Sequence, residues 1–83
     1  MELTVRYFAS ARAATGLTSE VLALGEGATI GEVVLLLTAR HAGRFAEIAD
    51  ASSLLLDGVA VRSPDTPVGS ASELDVLPPF AGG

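Results

Sequence analysis

The chain has 83 residues, no cysteine, and ten acidic residues against five basic ones, so its formal net charge is −5. That length supports one domain with a small core. The lack of cysteine excludes disulfides, thiolate metal sites and cysteine nucleophiles, and the negative charge disfavours nucleic-acid binding because it repels phosphate backbones. The start at Met1 and Glu2 shows no signal-peptide pattern, and every apolar run is too short to cross a bilayer. We therefore predict a cytoplasmic protein without a membrane partner.

The first part of the chain predicts two strands. Residues 2–9 alternate between apolar and polar side chains, which is typical of a strand with one buried face. Residues 10–16 are rich in alanine and predict either a turn of helix or a loop that ends at Gly16. Residues 18–24 predict a second strand, which pairs with the first through this wide connection.

The middle of the chain predicts the main helix. Thr29 and Glu32 have the S/T-x-x-E spacing of a capping box, so Thr29 is predicted to be the N-cap. Apolar residues then recur at helical spacing as far as His41, so one helical face should pack on the sheet and the helix should end near Gly43. A further helical turn is expected before Ser52.

The last part of the chain predicts three more strands. Residues 54–56 and 59–61 flank Asp57-Gly58, a strong signal for a two-residue hairpin turn. Alternation resumes over residues 73–77 and stops at two prolines, which cannot donate to a sheet ladder. The element order is therefore ββαβββ, and it indicates an α+β fold with a mixed sheet packed on one main helix.

We predict one domain over residues 1–79 and a flexible tail over residues 80–83. Pro78 and Pro79 should stiffen the point where the tail leaves the domain. Gly82 and Gly83 have no Cβ, so the end of the tail could pass through a narrow channel that excludes side chains. The alternative is a frayed terminus without a function, which is common for the last residues of a domain.

The ending over residues 73–83 resembles that of the small sulfur-carrier subunits of molybdopterin synthase, which belong to the ubiquitin-like β-grasp family. The most specific part is the Pro-Pro-x-x-Gly-Gly pattern. Tyr7, Phe8 and Ala9, followed by Arg12 and Gly16, resemble the opening of that family. The chain departs from the family in having Ala-Ser-Glu before the last strand and Phe80 where valine is common.

The resemblance implies a chemistry that is carried by the tail. An ATP-dependent activating enzyme would adenylate Gly83 and then convert it to a thiocarboxylate, with Gly82 beside it. The large subunit of molybdopterin synthase would accept the tail, in a heterotetramer, and the sulfur would pass to a pyranopterin precursor of the molybdenum cofactor. The resemblance implies no bound cofactor and no metal, and the chain itself would contribute no catalytic side chain.

The predicted partner-binding residues lie around the exit of the tail. The outward face of strand one ends in Phe8 and that of the last strand ends in Leu77, so parallel pairing would bring both into one apolar patch, with Ala60 as a possible neighbour. The exit and the tail would complete this surface with Pro78, Pro79, Phe80 and Ala81. We expect His41 to serve structure rather than catalysis, because it falls at the end of the main helix.

Three other functions remain open from the sequence. The chain could carry sulfur for thiamine or cysteine synthesis, or it could be a ubiquitin-like modifier that becomes attached to other proteins through an amide at Gly83. It could also be an interaction module in which the two terminal glycines have no role. The chemical form of the group at Gly83 separates a sulfur carrier from a modifier and from an interaction module.

Overall fold

The computed structural model describes residues 1–79 of the chain. In these residues it has five strands and three helices, in the order β1 (Glu2–Tyr7), α1 (Ala9–Thr15), β2 (Ser19–Ala23), α2 (Ile30–Arg40), α3 (Phe45–Ala51), β3 (Ser53–Leu56), β4 (Val59–Ala60) and β5 (Glu73–Leu77). The predicted tail, residues 80–83, lies outside the described residues. Within residues 1–79, no helix has the length and apolar character that a membrane span requires.

The five strands form one mixed sheet in the order β2-β1-β5-β3-β4. The central pair, β1 and β5, is parallel, whereas β1–β2, β3–β5 and β3–β4 are antiparallel. This arrangement confirms the predicted α+β fold of the ubiquitin-like β-grasp type, with α2 as the main helix. The two short helices were also expected: α1 is the helical alternative of the segment predicted to end at Gly16, and α3 confirms the further helical turn before Ser52.

The core lies between the sheet and α2. Period-two alternation turns Leu3, Val5 and Tyr7 of β1 to this side, and all three are fully buried. The helix contributes its i, i+3 and i+7 positions, Ile30, Val33 and Leu37. Leu22, Phe45, Val68, Leu74 and Val76 complete the centre of this cluster. Within residues 1–79, no helix covers the opposite face of the sheet, so the side chains of that face are available to other molecules.

The start of α2 agrees with the boundary predicted from the sequence, whereas its end does not. Thr29 is the N-cap as predicted, and its Oγ1 accepts a hydrogen bond from the backbone N–H of Glu32. In the reciprocal bond, the Glu32 carboxylate accepts from the Thr29 hydroxyl rather than from the Thr29 backbone N–H. The helix ends at Arg40, before the predicted end near Gly43, because His41 adopts an extended backbone conformation.

The predicted hairpin turn is confirmed at Asp57-Gly58. Both residues have positive φ, 47° and 81°, as a two-residue turn of this type requires. The Asp57 carboxylate also accepts hydrogen bonds from the backbone N–H groups of Ser72 and Glu73, at 2.8–3.2 Å. The β3–β4 hairpin is therefore tied to the start of β5, which fixes the strand that leads to the tail.

Candidate functional site

The parallel pairing of β1 and β5 brings two predicted site residues to the same end of the sheet. The register places Arg6 opposite Asp75 and Tyr7 opposite Val76, so the next pair along the two strands is Phe8 and Leu77. Both side chains are half-buried and belong to the face without a helix. The sequence prediction that these two residues come together at the end of the last strand agrees with this placement.

A hollow of about 520 Å³ lies at this end of the sheet. The residues that line it are mostly apolar, and none of them has an ionisable side chain: they are Phe8, Ala9, Ala51, Ser53, Leu77, Pro78 and Pro79. Pro78 is buried and Pro79 is exposed, so the described part of the chain ends at the rim of the hollow. This lining suits contact with an apolar protein surface, and it contains no acid, base or nucleophile stronger than the Ser53 hydroxyl.

Two guanidinium groups flank the Phe8 ring. The guanidinium carbon of Arg6 is 5.7 Å from the ring centroid and that of Arg12 is 6.0 Å away, both within the range of cation–π attraction. Arg6 also makes a bidentate ion pair with Asp75, at 2.7 and 2.9 Å, and this hydrogen bonding raises the pKa of Arg6. Phe8 is therefore held in place by charged neighbours on the outer surface.

The structure does not bring Ala60 into this group. Ala60 is exposed on the same face of the sheet, but its register partner in β3 is Leu55, which in turn lies opposite Asp75. It is thus two strands away from β5 and one row away from Leu77, and it does not line the hollow. Phe80, Ala81, Gly82 and Gly83 lie outside the described residues.

A polar cluster that the sequence did not predict lies on the inner face of the sheet, behind Phe8. Glu20 of β2 accepts hydrogen bonds from the hydroxyl of Tyr7 and from His41 Nε2, each at 2.5 Å, and from Arg40 at 2.7 Å. The rings of Tyr7, His41 and Phe45 also pack edge-to-face or tilted, with centroids 5.4–5.8 Å apart. His41 thus serves the packing of α2 on the sheet, in agreement with the structural role expected for it.

The environment of Glu20 changes the titration of the cluster. Burial alone would raise the pKa of Glu20, but the hydrogen bonds from Tyr7, His41 and Arg40 outweigh it and hold that pKa below its ordinary value. Burial, together with the Glu20 carboxylate, raises the pKa of Tyr7, so its hydroxyl stays protonated and continues to donate. Within residues 1–79, no group of acidic or histidine side chains is arranged to hold a metal ion.

We predict that Glu20→Gln lowers the free energy of unfolding by about 1–3 kcal/mol at neutral pH, because Gln cannot accept charge-assisted bonds from three donors. Since the folded state lowers the pKa of Glu20, its contribution is present above the ordinary glutamate pKa and is lost as the pH falls through the lowered value. Urea unfolding between pH 7 and pH 3 should therefore show a smaller acid-induced loss in the variant. Glu26→Gln, on an exposed turn, is the control, and equal profiles for the two variants would contradict the prediction.

Comparisons with known proteins agree with this fold and identify the family. The family model described as "ThiS family" matches residues 5–83. A Pyrococcus furiosus protein described as molybdopterin converting factor subunit 1 is 26% identical, with a TM-score of 0.82 over 95% of this chain and 98% of its own. No curated protein sequence matches the chain.

Two further structures, each covering 100% of both chains, show the same fold at lower identity. The small archaeal modifier protein SAMP1 from Haloferax volcanii is 20% identical, with a TM-score of 0.85. A chain from the complex of subunits 1 and 2 of the molybdopterin-converting factor of Helicobacter pylori is 18% identical with a TM-score of 0.71. Because the family model covers nearly the whole chain and the fold agrees with it, the chain belongs to the ThiS family of ubiquitin-like β-grasp sulfur carriers.

Proposed function

We propose that the chain carries sulfur as a thiocarboxylate on Gly83 and donates it to a pyranopterin precursor during molybdenum cofactor synthesis. Membership of the ThiS family, through a match that extends to residue 83, supports the carrier role. The similarity to the Pyrococcus furiosus protein described as molybdopterin converting factor subunit 1 supports the destination. The observation that carries the proposal is the apolar hollow at Pro78 and Pro79, which offers a docking surface at the point where the tail begins.

The proposed chemistry requires an activating enzyme. A C-terminal carboxyl group has a pKa of about 3.5, so at neutral pH it is a carboxylate and a poor electrophile. Attack of the Gly83 carboxylate on the α-phosphate of ATP would release pyrophosphate and form an acyl adenylate. A persulfide on a donor protein would then displace AMP and form an acyl disulfide with Gly83. A second thiol, supplied by the donor or the activating enzyme, would attack the donor's sulfur, so that the thiocarboxylate on Gly83 is released and a disulfide remains on the attacking proteins. The residues of this chain bind and present the tail, while the enzyme supplies ATP and the catalytic groups.

The second proposed partner is the large subunit of molybdopterin synthase. The Helicobacter pylori structure with the same fold is a complex of subunits 1 and 2 of the molybdopterin-converting factor. By analogy, Phe8, Leu77, Pro78 and Pro79 would contact the large subunit, and the segment from Phe80 to Gly83 would enter its active site, in a heterotetramer. Half-buried apolar side chains around a hollow are typical of such interfaces, in which a few anchors supply most of the affinity.

A protein modifier is the second candidate, because several structures with this fold are small archaeal modifier proteins from Haloferax volcanii and Methanosarcina acetivorans. A modifier would be found in amide linkage to other proteins through Gly83. All five basic side chains here are arginines, so the chain has no lysine side chain that could receive a further copy of itself. Sulfur transfer for thiamine or cysteine synthesis would use the same thiocarboxylate with a different acceptor.

Reconstitution separates these destinations. The chain is incubated with the activating enzyme of its own organism, ATP and a sulfur donor, and the product is then divided among assays with the large subunit plus the pyranopterin precursor, the thiamine and cysteine acceptors, and a cell extract. We expect transfer of sulfur to the pyranopterin precursor. Transfer only to another acceptor, or only amide conjugates in the extract, would contradict the proposed destination.

A further inference from the structure

The arginines of this protein differ in whether they have acidic partners. Among residues 1–79, three of them lie within ion-pair distance of a carboxylate: Arg6 with Asp75, Arg40 with Glu20 and Arg44 with Glu47. Arg12 and Arg62 have no such partner in this part of the chain. Neither lines the apolar hollow, but Arg12 lies against Phe8, one of its lining residues. Among the described residues, the Phe8 side of the hollow therefore has a positive charge without an acidic partner, although the protein as a whole is acidic.

Contacts on one side hold the Arg12 guanidinium in a defined place. Its Nε donates a hydrogen bond to the backbone oxygen of Tyr7 at 3.3 Å, and its guanidinium carbon is 6.0 Å from the Phe8 ring centroid. These contacts leave both terminal Nη atoms without a hydrogen bond among the described residues. Two such nitrogens match the two oxygens of a carboxylate, and a side chain that is already ordered loses little entropy when it binds.

We propose that Arg12 selects a protein partner whose docking face carries an Asp or Glu carboxylate next to the apolar surface that covers Phe8. This proposal rests on the proposed function, because it concerns the partner that binds at the tail exit. A partner that covered Phe8 would also remove water from the adjacent guanidinium, and leaving that charge unpaired would oppose binding. A carboxylate opposite Arg12 removes this penalty, and the same face without one is rejected.

Charge reversal tests this pairing against the overall charge of the protein. Arg12→Glu and Arg62→Glu change the net charge equally, and both residues are exposed, but only Arg12 adjoins Phe8. Binding of each variant to the purified large subunit of the same organism is measured by calorimetry at low and physiological salt. We expect Arg12→Glu to weaken binding by about tenfold or more, and Arg62→Glu to change it by less than about threefold.

Cross-linking identifies the partner's carboxylate directly. The chain is suited to this experiment because it has no lysine. Arg12→Lys and Arg62→Lys each introduce one side-chain amine, which a carbodiimide couples to a carboxylate in direct contact. We expect Arg12→Lys alone to form an amide with an Asp or Glu of the large subunit, located by peptide mass spectrometry. If the original protein binds but the variants at positions 12 and 62 behave alike in both experiments, the proposed role of Arg12 is wrong. If the original protein does not bind the large subunit, the proposed function fails as well.

Discussion

Removing Gly83, or adding one residue after it, should abolish sulfur transfer and leave the melting temperature of the protein nearly unchanged. The buried core residues among those described run along the sequence from Leu3 to Val76, so all of them precede the tail. In the proposed mechanism, the reacting carbonyl carbon must reach a fixed position in two different enzymes, and a misplacement of about 1 Å can cost roughly a hundredfold in rate. One residue more or less displaces it by about 3.3–3.6 Å.

The assay for this prediction measures transfer from the activated protein to the precursor, together with thermal unfolding by circular dichroism. Glu26→Gln is the control, because Glu26 is exposed on a turn outside the proposed binding surface, and it should retain the transfer. A variant that lacks Gly83 yet still transfers sulfur would contradict the proposed site. A large fall in melting temperature would show instead that the tail stabilises the domain.

Aspartate substitutions on the two faces of the sheet should have opposite effects. Val5 and Val76 are at most 1% exposed and face α2, so Val5→Asp or Val76→Asp places a charge in the core without a partner. Such a change costs several kcal/mol, a large share of the roughly 5–15 kcal/mol that stabilises a domain. We expect both variants to be unfolded at 25 °C by circular dichroism.

Phe8→Asp and Leu77→Asp should remain folded and lose their affinity for the large subunit. Both positions are half-buried on the outer face, and an aspartate at position 8 would lie near the guanidinium groups of Arg6 and Arg12. In a complex, the new carboxylate would displace an apolar anchor, which typically costs about 2 kcal/mol or more. Val21→Asp is the control, because Val21 is 53% exposed on the same face but belongs to the edge strand β2.

Binding by Val21→Asp together with loss of binding by the Phe8 and Leu77 variants would support the assigned surface. If Phe8→Asp and Leu77→Asp bind normally, these residues are not at the interface. If they unfold as the core variants do, the loss of binding says nothing about contact, and the half-buried outer face has a structural role instead.

Local signals in the sequence were sufficient to predict much of the fold. The S/T-x-x-E spacing located the start of α2, and Asp57-Gly58 located the β3–β4 turn, because both depend on hydrogen bonds and backbone angles within a few residues. The alternation predicted over residues 2–9 and 73–77 agrees with the burial of Val5 and Val76 in the core. The placement of Phe8 beside Leu77 needed one further premise, the parallel pairing of these strands, which came from the resemblance to the β-grasp family.

Contacts between distant parts of the chain could not be derived in this way. Glu20 contacts Arg40 and His41, which lie 20 and 21 residues further along the chain. The apolar residues Val21, Leu22 and Leu24 do not show by pattern alone which face of β2 is buried. The distance of Ala60 from the patch of Phe8 and Leu77 could not be derived from the sequence for a similar reason. Its row on the sheet depends on the registers of two strand pairs, and these set it apart from Leu77.

The same limit applies to the charged surroundings of the hollow. Asp75 lies on the outer face of β5, yet its side chain is only 13% exposed and is paired with Arg6. Sequence patterns assign a face to each residue but do not show which ion pairs form across strands. The contrast between the paired Arg6 and the unpaired Arg12 in residues 1–79 therefore emerged only from the structure.

Intact-mass spectrometry of the protein isolated from its native cell tests the central claim most directly, because it reads the chemical form of the Gly83 carboxyl group. Cells that are actively making the molybdenum cofactor should contain, in part, a species in which one sulfur replaces one oxygen at Gly83. Detection of only the free carboxylate, or only of amide-linked conjugates, under those conditions would contradict the sulfur-carrier account.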